Sequence, residues 1–318
     1  EVENMHPGQP YKGSHWEMAE SAAKTQYSTR LFDNYGMDFI EGGALVAMLM
    51  ELRQRNVIQP EDLEGIDLQW GDVHAVDSLV DKVAKKEGIG EVLASGTWET
   101  ARYFSRKKGD ESIMYYAQTG HRYGQPAHGT RSNHDRNALE YVTVVRPCEH
   151  TGGGSGAFMK EPIDFEAAIQ GQNKTAAINS MVYCLFAAGF WGDEGNVDLV
   201  RTVTGWSDFD KASFLQVGER AYALTRLFNL YSQNIKDPRK EWDCLEMFPR
   251  RWFEEPLPTG PFKGRKAFGG EPSRLFDEAL PEYWKKRGWS ASKGIPSSEK
   301  LRELGIAEVA EKVASDLR

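Results

Sequence analysis

Two carboxylates flank a glycine in Asp33-Asn34-Tyr35-Gly36-Met37-Asp38. A carboxylate is an acceptor, and its natural counterpart is a ring edge carrying several N–H donors in a guanidine-like row. The same residues also read as a helix stop at Gly36 followed by an Asp38 cap, with Glu41 three positions on. Both readings stay open at this point. Cys184 sits in the apolar run Asn179-Ser180-Met181-Val182-Tyr183-Cys184-Leu185-Phe186, inside an expected helix. There it is either a small core hydrophobe or a thiolate ligand of an iron–sulfur cluster. His150, in Arg146-Pro147-Cys148-Glu149-His150, is either a proton carrier tuned near neutral pH or an ordinary loop histidine.

Other groups carry less chemistry. Cys148 has no nucleophile signature around it. The run Gly152-Gly153-Gly154-Ser155-Gly156 lacks the Gly-Lys-Ser/Thr ending that a phosphate loop needs. His121, His128 and His134 lie in an irregular polar stretch without the helical spacing of a zinc motif.

The elements that position these residues are expected to be mostly helical. Helices are predicted over Met18–Tyr35, from Asp38 through Met50, and over Val73–Lys86, where Val76, Leu79, Val80 and Val83 share one face. Further helices are expected over Val92–Arg106, Asp164–Gln170, Thr175–Ala188, Phe214–Gln233, Glu278–Arg287 and Ser298–Leu317, with Ser298 as the last one's cap. Tyr141–Val145, rich in β-branched residues, is the best strand candidate. The Gly-, Pro- and His-rich stretch from Gly109 to Thr130 reads as an interdomain connection. Two mostly α-helical domains follow, expected at residues 1–118 and 119–318.

The chain has 318 residues and a net charge of −8. That argues against a nucleic-acid grip or an anionic membrane surface as partner. No apolar run reaches the length of a bilayer span. Three cysteines at wide spacing, Cys148, Cys184 and Cys244, do not form a disulfide framework, and a reducing cytoplasm is expected. The start at Glu1 without Met reads as a processed, truncated or partial polypeptide.

Taken in order, these segments resemble the aldehyde:ferredoxin oxidoreductase family. Asp33–Asp38 is similar to that family's D-x-x-G-x-D pterin segment, and Thr175–Phe186 to its D-x-x-G-L-C segment. The stretches Gly65–Val73, Glu87–Gly96, Gly218–Asn229, Glu255–Pro261 and Tyr283–Gly305 are family-like as well. The resemblance implies the two helical domains of that family, without its N-terminal β-rich pterin domain. It also implies a tungsten or molybdenum ion held by two pterin dithiolenes (bis-molybdopterin), beside a [4Fe–4S] cluster that passes electrons to ferredoxin or an electron-transfer subunit. Asp33, Gly36, Asp38 and Asn179 would be pterin contacts, and Cys184 the fourth cluster ligand. His150 and Glu17 would be the catalytic proton carrier and carboxylate.

This sequence departs from the family pattern in two ways. Asn179 stands where the family has Asp, and the P-E-Y-E pattern around Glu17 is missing. The family's three clustered cysteines lie upstream of this chain, so another subunit or an N-terminal region must supply them, in an oligomeric assembly. The expected activity is oxidation of aldehydes to carboxylic acids. The alternatives are a benzoyl-coenzyme A reductase-type subunit of the same family and a cofactor-free structural subunit.

Overall fold

The computed structural model describes residues 15–126, 129–131, 137–146, 149–232 and 250–317. Along the chain run α1 (His15–Asn34), α2 (Phe39–Gln54), α3 (Val73–Lys85), α4 (Ile89–Leu93) and α5 (Thr97–Lys108). A 3-10 turn at Glu111–Tyr116 leads into a hairpin of β1 (Thr119–Gly120) and β2 (Tyr123–Gly124), paired antiparallel. Then come α6 (Asn137–Thr143), α7 (Ser155–Phe158), α8 (Phe165–Ser180), α9 (Leu185–Thr204) and α10 (Lys211–Ser232). The series closes with α11 (Arg251–Glu254), a π-helical turn at Arg274–Ala279, α12 (Leu280–Lys286), α13 (Ser298–Glu303) and α14 (Ala307–Leu317). Mostly helical is therefore the right class, and the two short strands are the β structure among the described residues.

Contacts divide the chain into two compact units. The first is Glu1–Asp135 with Cys244–Gly270, the second Arg136–Asp243 with Glu271–Arg318.

In the first unit, local rules set the helix ends. Asp38 caps α2, its carboxylate accepting the Glu41 backbone N–H at 2.8 Å, and Asp72 caps α3 through the N–H groups of His74 and Ala75. On α3, Val76, Leu79 and Val80 of the predicted face are buried and Val83 is half-buried, while Val73 ahead of them is buried as well. Val76, Leu79 and Val80 pack with Leu45, Leu49 and Leu52 of α2 and Phe104 of α5 in one apolar core. The buried Arg251 guanidinium binds both Glu51 oxygens, at 2.6 and 2.9 Å, and also pairs with Glu255 at 2.6 Å. Burial pulls the Arg251 pKa down, but the Glu51 and Glu255 carboxylates outweigh it and hold the group charged.

The second unit is centred on α8 and α10, which pass backbone to backbone at Gly218. A Cβ there would collide with the Asn173 carbonyl. Arg287 is 1% exposed and has no carboxylate partner among the described residues. Its nitrogens donate to Tyr283 Oη at 2.6 Å, Asn173 Oδ1 at 3.0 Å and Gln172 Oε1 at 2.8 Å. Its plane stacks 3.9 Å from the Tyr222 ring centroid. Aromatic faces and neutral acceptors thus solvate this cation in place of water.

Several expectations are corrected. Tyr141–Val145 is no strand: Asn137–Thr143 is helical, because burial of Ala138, Leu139, Tyr141 and Val142 within the second unit overrides a weak β preference. The Val92–Arg106 helix is two helices parted at Gly96, whose φ of 88° ends the first. Thr175–Ala188 breaks after Ser180, and Ser298–Leu317 breaks at Gly305, with Ser297 rather than Ser298 as the cap. Among the described residues no single helix is long and apolar enough to cross a membrane. The bent pair α8 and α9, at 110°, meets that test only when the two are taken together.

Candidate functional site

In the first unit, the Asp33–Asp38 segment is the turn between α1 and α2. Gly36, at φ 67°, occupies the left-handed position. Its N–H bonds the Asp33 carbonyl at 3.0 Å, and the Met37 N–H bonds the Phe32 carbonyl at 2.9 Å. This pair of bonds closes a Schellman stop. A Cβ on Gly36 would touch nothing within 4 Å, so backbone geometry and not crowding requires glycine. The Asp33 side chain is exposed and accepts no hydrogen bond from the described residues. Asp38 is exposed too, and one of its oxygens is taken by its cap. The turn therefore leaves three carboxylate oxygens without a hydrogen bond from the described residues.

Polar clamps fix α1 against α3 behind this turn. Tyr35 Oη donates to Asp81 at 2.6 Å and Ser28 Oγ to Asp77 at 3.0 Å. The bond to Asp81 raises the Tyr35 pKa. A cavity of about 240 Å³ opens beside the turn, lined among others by Phe32, Met37, Asp38, Leu45, Val80 and Tyr123. One further acidic residue carries more structure than its sequence context suggests. The Glu41 carboxylate receives the Thr97 N–H at the start of α5 and the Gly124 N–H of β2.

In the second unit, Asn179 lies in the last turn of α8 and Cys184 caps α9, on either side of the sharp turn between them. Val182 there adopts φ 56°, a strained value for a β-branched residue. Cys184 is not inside a helix. It is the exposed N-cap residue of α9, because the α8 helix ends at Ser180. This removes the core-hydrophobe reading. Asn179 is also exposed, and its backbone carbonyl accepts from the Val182 N–H at 3.1 Å. Behind the turn, Tyr183 Oη donates to the buried Asn196. Asn196 in turn donates to the carbonyls of Ala188 at 3.2 Å and Gly192 at 2.6 Å, bracing α9 across its break at Gly192. Sequence reasoning missed this brace. Its signal was an asparagine on the apolar side of a helix.

His150 is half-buried in the loop after α6, beside Glu149, which accepts from Arg146 and Thr151. The glycines that follow it serve packing. A Cβ on Gly153 or Gly154 would meet the α8 carbonyls of Gly171 and Ala168 at 2.5 and 2.6 Å. Glu17 lies in the first turn of α1, with its side chain outside the described part. Cys148, Cys244, His128 and His134 also lie outside the described residues. His121 is at the hairpin tip in the first unit, with φ 52°.

The structure thus places Asp33, Gly36 and Asp38 at one helix junction, and Asn179 and Cys184 on the two sides of another. Among the described residues, no group of three or more His, Cys, Asp or Glu side chains gathers as a metal site. The donor types suit the implied groups: exposed carboxylates for a pterin's N–H edge, and an exposed thiol for one corner of a cluster that takes four.

A model of the aldehyde ferredoxin oxidoreductase family, domains 2 and 3, matches residues 14–306. The tungsten-containing aldehyde ferredoxin oxidoreductase of Pyrococcus horikoshii is 32% identical over 292 residues, covering 87% of this chain and 44% of that protein. The Pyrococcus furiosus protein of the same description is 30% identical over 295 residues, 88% of this chain and 45% of its own. An aliphatic sulfonate oxidoreductase, WOR-like subunit, from Pyrococcus furiosus is 32% identical over 311 residues, 96% and 46%. The chain thus spans somewhat less than half the length of these relatives. Among solved structures, the active site complex BamBC of benzoyl coenzyme A reductase with 1,5-dienoyl-CoA shares the fold. Its TM-score is 0.55 at 16% identity, covering 88% of this chain and 45% of that one. With that match running from residue 14 to residue 306, the chain belongs to the aldehyde ferredoxin oxidoreductase family, in the part formed by domains 2 and 3.

Proposed function

We propose that this chain is the domain 2 and 3 portion of a tungsten or molybdenum bis-pterin oxidoreductase that oxidises aldehydes to carboxylic acids, with ferredoxin as electron acceptor. The observation that carries the reading is the exposure of Cys184 in the α8–α9 turn, since a packing role would bury the thiol. Asp33, Asp38 and Asn179 hold the pterin edges, and Cys184 is one of four thiolates on a [4Fe–4S] cluster. When bound, the metal–pterin centre would supply the two-electron redox chemistry, and the cluster would supply one-electron transfer. His150, with Glu17 as the second group, moves the proton that water loses as it adds to the aldehyde carbon. The remaining cluster thiolates come from an N-terminal region or a partner subunit, in a cytoplasmic assembly working under anaerobic conditions.

The test is metal, iron and acid-labile sulfide analysis of the native assembly, followed by dye reduction with aldehydes, aromatic acyl thioesters and aliphatic sulfonates. Tungsten or molybdenum with iron and aldehyde-dependent reduction supports the proposal. Turnover of thioesters or sulfonates alone moves the substrate to the other branch of the family. Absence of all three elements leaves a structural subunit.

A further inference from the structure

Helix α10 is apolar on two sides. Its inner side buries Phe214, Gly218, Tyr222, Ala223, Leu227 and Leu230 within the second unit. Its outer side carries Val217, Ala221, Leu224, Phe228 and Tyr231. Val217 and Ala221 are half-buried, whereas Leu224 is 37% exposed, Phe228 66% and Tyr231 64%. From Ala221 to Ser232 the one charged residue is Arg226, which is buried and donates inward to the Gly294 carbonyl. A helix that faces water sets charges along its outer side, and one that is apolar all round is covered. The spacing says by what. Steps of 4, 3, 4 and 3 residues from Val217 to Tyr231 repeat every 3.5 residues, the period at which an apolar stripe interlocks with a second α-helix.

We infer that this face joins α10 to the α10 of a second copy of the chain, antiparallel about a two-fold axis between Leu224 and Phe228. The inference does not depend on the cofactors proposed above. Two features select this occupant. The seam is self-complementary: the two-fold sets Leu224 against Phe228 of the copy and Tyr231 against Ala221, so every exposed side chain is covered and the smallest faces one of the largest. A parallel pair would crowd Tyr231 on Tyr231 and leave a void between two Ala221 methyls. The flanks also suit a pairing of like with like, in which a charged rim would repel itself. Thr225 and Ser232 border one side, and Arg220 on the other is already bonded to the Leu304 carbonyl and to Gln216. A seam of about two heptads covers less than the roughly 800 Å² per partner of a standard interface, so the pair is dissociable and forms as concentration rises.

The test is sedimentation of the full chain from roughly 1 to 100 μM, the range a small interface implies. Leu224→Lys and Phe228→Glu are compared with Phe186→Glu, a control at a residue 82% exposed on α9. Circular dichroism and melting verify that each variant folds. The proposal expects wild type and Phe186→Glu to pass from monomer to dimer alike, and Leu224→Lys and Phe228→Glu each to weaken dimerisation by about tenfold or more. Mixed in equal amounts, the two weakened chains should regain the dimer. One layer of the mixed pair becomes lysine on glutamate, and the other remains leucine on phenylalanine. A wild-type chain that stays monomeric overturns the proposal, as do folded variants that dimerise undiminished or a mixture that stays monomeric. So does a native assembly in which a polypeptide other than this chain protects Leu224–Tyr231 from hydrogen exchange.

Discussion

The Glu41 carboxylate accepts the backbone N–H of Thr97, 56 positions further along, at 2.5 Å, and its other oxygen accepts from Gly124. One side chain, three residues after Asp38, thus ties the start of α2 to the start of α5 and to the hairpin. Glu41→Ala leaves two backbone donors without their acceptor, at about 1–3 kcal/mol each. Urea unfolding should show the first unit's midpoint falling by an amount equal to several kcal/mol, while Glu41→Gln, which keeps one acceptor oxygen, loses about half of that.

Asp33 and Asp38 separate capping from ligand binding. Asn caps a helix about as well as Asp, so Asp38→Asn should leave α2 and the melting temperature nearly unchanged. If the carboxylates accept from a pterin, Asp33→Asn with Asp38→Asn should remove most of the bound metal, since each charged hydrogen bond contributes about 1.5–3 kcal/mol. Full tungsten or molybdenum content in the double variant returns both residues to helix-end duty.

Cys184 is exposed, so Cys184→Ala costs the fold little. In the native assembly the same change should abolish or strongly destabilise the [4Fe–4S] centre, read as iron content and visible absorption. Cys148→Ala and Cys244→Ala should leave both unchanged. An unaltered cluster without the Cys184 thiol ends the assignment.

His150→Ala should lower turnover per metal by roughly 10²–10⁴-fold, the usual contribution of a general acid or base, with metal, pterin and iron retained. His121→Ala should do much less. The reverse pattern would transfer the proton carrier to the β1–β2 hairpin.

Asp62 sets an acid limit for the first unit. Burial pushes its carboxyl up, but hydrogen bonds from Lys108, the Gln59 backbone and Lys107 outweigh that and hold its pKa at about 2. A folded pKa below the unfolded value of roughly 3.9 means stability that is complete above about pH 4 and lost as pH falls towards 2. Asp62→Asn should flatten that limb of the pH–stability curve and leave the neutral region displaced by a constant amount.

Legibility in the sequence followed the range of the forces involved. The Val73–Lys85 stripe, the Gly36 stop and the Asp38 cap depend on neighbours within a turn or two, and reading them needs only the local pattern. Tyr141 and Val142 were misread because their β preference is local, whereas the burial that makes them helical is tertiary. The glycines at 153 and 154 are explained by α8 carbonyls 14 to 18 residues away, and Glu41 by partners 56 and 83 positions distant. At the candidate site, Cys184 was found by its place in a motif. Its exposure was hidden, since an apolar run through Met181–Phe186 looks like a continuous core helix until the left-handed Val182 breaks it.

The cage around Arg287 has a consequence for how the two buried arginines meet acid. In the first unit Arg251 depends on Glu51 and Glu255, two groups that can take up protons. In the second, Arg287 leans on a phenol, two amides and aromatic faces, none of which gains a proton in any pH range where a protein survives. Acidification therefore loosens the hold on the first unit's buried arginine, while the hold on the second unit's buried arginine carries no proton-binding group to lose.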